Sequence, residues 1–112
     1  MITPRFAGAI AVLDVHGALE GGDGLKPAIR QALDHGARTI VVNMQDVTGI
    51  DSSGVSELAS SHLTAVNSGG CLKLCNLSRK LQEVFAVTRL NTVFDAYETE
   101  ADAIASADAR GT

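Results

Sequence analysis

Apolar and polar positions first alternate in "AIAVLDV", Ala9 to Val15, with the two-residue period of a β-strand, and "GALEGGDG" then breaks the pattern with four glycines in eight residues. From Leu25 the period lengthens. Leu25, Ile29, Ala32 and Leu33 fall at helical spacing, and Gly36 in "DHGAR" supplies a C-terminal stop. "RTIVVNM" is apolar without polar interruption between Thr39 and Val42, which predicts a central strand covered on both faces. After "GIDSSG", the residues Val55, Leu58, Ala59, His62, Leu63 and Val66 recur at three- and four-residue steps, so they predict the core face of a second helix that ends at "NSGG". "CLKLCNL" resumes strand alternation. Ser78 is placed to cap a third helix with Leu81, Val84, Phe85 and Thr88 on one face, and "TVFDAY" follows as a short final strand. A last helix is expected over Asp102 to Asp108, fraying from 107 into the tail that ends at 112.

Strands alternating with helices in units of roughly 30 residues imply right-handed crossovers. The expected fold is therefore α/β, a small and mostly parallel sheet flanked by about four helices. With 112 residues, 46% of them hydrophobic, the chain forms one core and one domain spanning 1–112. The net charge of −4, from 9 Lys+Arg against 13 Asp+Glu, argues against nucleic acid as a partner. No run reaches the roughly 18 apolar residues of a membrane span. The apolar N-terminal stretch contains Asp14 and His16 and has no cleavage-like ending, so a soluble cytoplasmic protein is expected. Cys71 and Cys75, four apart on a strand, lie roughly 13 Å apart, about twice the disulfide limit, and are expected as free thiols. His16, His35 and His62 fall on separate predicted elements, which leaves no metal-ligand cluster.

Catalytic motifs are equally absent. "GGDG" lacks the G-x-G-x-x-G order, and no G-x-x-x-x-G-K-[ST] occurs. Ile50 and Asp51 stand where a G-x-S-x-G nucleophile elbow around Ser52 or Ser53 needs glycine. The expectation is a protein without enzymatic activity and without a cofactor. What remains is "DSSG", Asp51 to Gly54, at a strand-to-helix turn. Either Ser52 or Ser53 can cap the second helix, because a hydroxyl accepts from its first free N–H groups. One serine suffices for that, and a second hydroxyl beside a glycine at an exposed turn suits a modifying enzyme.

"TIVVNMQDVTGIDSSGVSEL" followed, after one helix, by "SGGCLKLCNLSRKLQEVFAVTRLNTVFDAYETEADAIAS" resembles the STAS domains of bacterial anti-sigma-factor antagonists over essentially Ala9 to Ser106. The resemblance implies a small mixed sheet flanked by helices. It also implies phosphorylation of the serine directly after the aspartate, here Ser52, with Ser53 second in line. The partner would be an anti-sigma factor that is also the kinase. The unphosphorylated antagonist sequesters it and frees the sigma factor, and a phosphatase reverses the modification. Two departures accompany the resemblance: "GALE" puts Glu20 where the family often has aspartate, and Ser56 and Glu57 replace a common glycine and an apolar residue. Related domains also act as scaffold subunits in stressosome-like assemblies and lipid transporters, the alternative function.

Ser56, Glu57, Ser60 and Ser61 on the second helix, with the loop from Glu20 to Asp23, are expected to border the partner site around Asp51, Ser53 and Gly54. Charge reversal at Glu57 is accordingly expected to weaken a complex without lowering the melting temperature.

Overall fold

The computed structural model describes residues 2–20, 24–89 and 94–110. In chain order the elements are β1 (Ile2–Ala7), β2 (Ile10–Leu19), α1 (Leu25–Asp34), β3 (Thr39–Ile50), α2 (Ser52–Asn67), β4 (Cys71–Cys75), α3 (Arg79–Val87), β5 (Asp95–Tyr97) and α4 (Glu100–Arg110). The strands form one five-stranded sheet in the order β1-β2-β3-β4-β5, with β1 antiparallel to β2 and every later pair parallel. The mixed, mostly parallel sheet with four helices is the expected fold.

Strand alternation divides the side chains between two faces. Leu13 and Val15 of β2, Ile40, Val42 and Met44 of β3, and Leu72 and Leu74 of β4 pack with Leu25 and Ile29 of α1, Leu58 of α2, and Leu81 and Phe85 of α3. The opposite face carries a smaller cluster in which Val12, Val41 and Cys75 meet Ala103 of α4, with Tyr97 and Ile104 at its margin. β3 is thus covered on both faces, as its uninterrupted apolar run predicts.

Several elements differ from the sequence expectation. β1 was not foreseen. It is a mostly exposed edge strand containing Pro4, a residue that edges tolerate because an outward-facing N–H is dispensable there. Gly8, at φ +62, makes the turn into β2. β2 runs four residues past Val15, and β3 six past Met44. Register shifts between Asp14 and His16 and between Gly17 and Ala18 let the strands continue through sequence that does not alternate. α4 spans Glu100–Arg110, so backbone assigned to the frayed tail from 107 is helical as far as 110. Residues 90–93, including the first two of "TVFDAY", lie outside the described residues, and β5 covers its last three.

The face of α2 is rotated from the expected one. Its buried residues are Gly54, Leu58, Ser61 and Ala65, whereas Leu63 is 60% and Val66 47% exposed. Small side chains face inward because the helix lies close to its neighbours at both ends. A Cβ on Gly54 would stand 2.0 Å from the Leu19 carbonyl oxygen, and just beyond the other end a Cβ on Gly70 would stand 2.4 Å from the Arg38 carbonyl oxygen.

Two polar clusters fasten α4. Lys73, fully buried in β4, lies 3.3 Å from the Tyr97 hydroxyl, 3.4 Å from Ser106 Oγ and 3.6 Å from an Asp95 oxygen. Arg5 of β1 donates to Asp14 at 2.7 and 3.0 Å and also to Glu100 of α4. The Arg5 hydrogen bonds, followed by one from Asn43, hold the Asp14 carboxyl below the ordinary carboxylate range against the opposing effect of desolvation. A carboxyl depressed in the folded state contributes stability that is complete above its unfolded pKa and is lost as pH falls through the folded value. Arg5→Ala is therefore expected to move the acid-unfolding limb, followed by circular dichroism, to higher pH. The two stability curves should converge at the lowest pH, and a constant offset down to that limit would refute the assignment.

Both cysteines are free. Burial pushes the Cys75 thiol up to about 12, so it stays protonated and unreactive near neutral pH.

Candidate functional site

The C-terminal ends of the neighbouring parallel strands β2 and β3 and the first turns of α1 and α2 meet at one end of the sheet. The first turn of α2 is built by Asp51, Ser52, Ser53 and Gly54. Asp51 has extended backbone angles, φ −111 and ψ −177, and its Oδ1 accepts from the Gly54 N–H at 2.8 Å. It is the N-cap. The expectation that Ser52 or Ser53 caps the helix is therefore corrected. Both serines already lie inside the helix, and an aspartate one position earlier meets the geometric requirement. Both serine residues are exposed. The fold leaves two neighbouring hydroxyls at the surface and uses a different side chain to close the turn.

Gly54 has a structural reason as well. It is buried against the Leu19 backbone, so its lack of a side chain serves the contact between α2 and β2 and leaves nothing of it to present to a partner. Ser61, expected at the border of a partner site, is fully buried, because the rotation of α2 turns it toward the sheet. Its Oγ has no hydrogen-bond partner among the described residues.

An open groove runs between the first turns of α1 and α2. Glu20, Gly24, Lys26 and Pro27 line one side of it, and Ser52, Ser53, Ser56, Glu57 and Ser60 the other. Six of the expected site residues, Glu20, Ser52, Ser53, Ser56, Glu57 and Ser60, thus share one concave surface. Asp23 lies outside the described residues.

Glu57 has a role that the sequence did not reveal. α1 starts after Gly24, at φ +86, which has no side chain with which to cap. Glu57 Oε1 supplies the acceptor from the neighbouring helix, taking the Leu25 N–H at 2.9 Å and the Lys26 N–H at 3.3 Å. The carboxylate also sits favourably against the positive end of the α1 dipole. On this ground charge reversal at Glu57 is expected to lower the melting temperature as well. Glu57→Lys removes the acceptor and places a cation at the helix N-terminus, and it should lower stability by on the order of 1.5 kcal/mol. Glu57→Gln, which keeps an oxygen acceptor, should lose less. Equal melting temperatures for all three proteins would show the contact to be energetically silent.

Lys26 was not singled out from the sequence, and it brings the opposite charge into the groove beside Glu20 and Glu57. Its signal in the sequence was weak, since a lysine in the first turn of a helix opposes the dipole and is ordinarily read only as a solvated side chain.

Comparison with known proteins agrees with this fold. The family model of the STAS domain matches residues 5–103. An anti-sigma factor antagonist from Mycobacterium paratuberculosis superposes with a TM-score of 0.81 at 18% identity, over 95% of this chain and 92% of that one. The phosphorylated form of the Bacillus cell fate determinant SpoIIAA gives 0.71 at 22% identity, over 96% and 99% of the two chains. A sulfate transporter family protein from Wolinella succinogenes gives 0.76 at 16% identity, over 93% and 88%. Comparison with curated protein sequences gives no significant match.

Proposed function

The chain belongs to the STAS domain family, and from that premise we propose that it is an anti-sigma-factor antagonist switched by phosphorylation of Ser52. Its partner in this reading is an anti-sigma factor that is also a serine kinase, and the exchange regulates sigma-factor-dependent transcription. A phosphatase restores the binding form. The protein itself is a substrate and a ligand, with no catalysis of its own.

One observation carries the proposal. Asp51 takes the capping role and leaves Ser52 exposed at the mouth of the groove, where a kinase can reach it without unwinding α2. Ser53, equally exposed, is the second candidate. Glu20, Ser56 and Ser60 border the surface that the partner covers, with Glu57 holding its two sides together. None of the helices among the described residues is long and apolar enough to cross a membrane.

The likeness in fold to the Wolinella protein supports a second reading, a scaffold subunit of a stressosome-like or transporter complex in which the serines stay unmodified. Incubation with ATP and the candidate anti-sigma kinases of the host, followed by intact mass and peptide mapping, separates the two. A gain of one phosphoryl group on Ser52 with release of the partner supports the switch. A stable complex indifferent to ATP supports the scaffold.

A further inference from the structure

The groove between α1 and α2 has an uneven set of charges. Glu20 reaches it from the end of β2 and Glu57 from α2, with Asp51 at the α2 N-terminus; Lys26, on α1, is the one cation among its described lining residues. Two of the three carboxylates have duties to the backbone: Asp51 accepts from Gly54, and Glu57 accepts from Leu25 and Lys26. The second contact also fixes where Lys26 stands, because its own amide is held by a residue of α2. The lysine is anchored across the groove from the hydroxyls, on a flexible stem of four methylenes.

We propose that Lys26 is the counter-cation of the phosphoryl group on Ser52, drawing it across the groove toward α1. This deepens the phosphorylation reading and rests on it. A phosphoserine adds about −1.5 to −2 charges at neutral pH. Glu20 on the far wall and Glu57 on its own helix add negative charge around it, and Lys26 is the cation among the described lining residues able to neutralise it. Phosphorylation then does two things in one step. It places an anion at the surface, and it occupies the cation that the unmodified groove offers to an acidic partner.

The test uses the full chain with phosphoserine installed at position 52 during synthesis, so that its outcome is independent of any kinase. The second ionisation of the phosphate is followed by phosphorus NMR at low ionic strength, where exposed charge pairs are least screened. Lys26→Gln should raise that ionisation by about half a pH unit relative to the parent, since an adjacent cation favours the dianion. Lys26→Arg should restore the parent value, and Arg30→Gln, one turn further along α1, should leave it in place. The same titration in the parent and Lys26→Gln proteins overturns the proposal, as does an equal shift from Arg30→Gln. Failure of every candidate kinase to modify Ser52 would count against the proposed function without altering this result.

Discussion

Gly54→Ala is expected to lower the melting temperature by roughly 10 °C or more, the reverse of what helix propensity alone predicts. In an ordinary helix interior, alanine is favoured over glycine by roughly 0.5–1 kcal/mol. Here the added Cβ would lie 2.0 Å from the Leu19 carbonyl oxygen, 2.8 Å from the carbonyl carbon and 3.0 Å from Ile50 Cγ1. Two of the three are backbone atoms at the end of a central strand, so no rotamer change relieves the overlap. α2 must move bodily away from β2. Overpacking of this kind costs about 1–3 kcal/mol and sometimes more, and the backbone clash places it at or above the top of that range. In a domain of this size, each kcal/mol corresponds to about 4 °C. Gly49→Ala provides the contrast, since nothing lies within 4 Å of its Cβ position. Thermal unfolding of the two variants against the parent is sufficient. If Gly54→Ala melts within about 2 °C of the parent, the approach of α2 to Leu19 is looser than described.

The second large effect follows from the switch proposed at Ser52. A phosphate there joins Asp51 and Glu20 at one end of the sheet, and it opposes an acidic partner both by charge and by bulk. A penalty of about 2–3 kcal/mol at a desolvated contact corresponds to roughly a 30- to 150-fold loss of affinity. Ser52→Ala is expected to bind the anti-sigma kinase as the parent does and to remain bound when ATP is added. Ser52→Asp, with less charge and a shorter reach, should weaken binding partially. Ser53→Ala should still be modified, and with Asp51 as the cap it should do so at little cost in stability. Titration calorimetry with and without ATP measures each case. Full modification of Ser52→Ala, with the phosphate mapped to Ser53, would move the switch by one residue.

The accuracy of the sequence reading varied with the distance between cause and effect. The Ser78 cap is local, and it is observed: the hydroxyl accepts from the Leu81 N–H at 3.2 Å. The apolar faces of α1 and α3 follow from spacing alone, because large side chains there point inward. α2 breaks that correspondence. Its inward positions are small, to permit close approach, so the larger apolar residues Leu63 and Val66 drew the expected face around toward solvent. Capping of the same helix was ambiguous because aspartate and serine serve equally well, and only the backbone angles distinguish Asp51 from its neighbours. Glu57 lies 32 residues from the amide it holds, and nothing local to either residue signals the pairing. Pro4 and the short run before Gly8 concealed β1 for a related reason: an edge strand needs little apolar character when one antiparallel neighbour fixes its register.

Every strand in this sheet lies beside the strand that precedes it in the chain, a circumstance that bears on how the molecule reaches its native state. Each parallel pair is closed across one helical crossover, with register partners such as Ile10 and Thr39 or Thr39 and Cys71 far apart in the chain, so each pairing carries a loop-closure cost before its contacts form and slows folding. During synthesis the sheet can grow from one edge, each new strand adding to the one already in place. The hydrogen bonds between Arg5 and Glu100 span 95 residues, and the packing of Ala103 on Val12 and Val41 is similarly long-range. They can form only when both ends of the chain are present. The second face of the sheet is therefore completed last, and a nascent chain that stops short of α4 leaves Val12, Val41 and Lys73 uncovered, the surface through which an incomplete product would meet chaperones or aggregate.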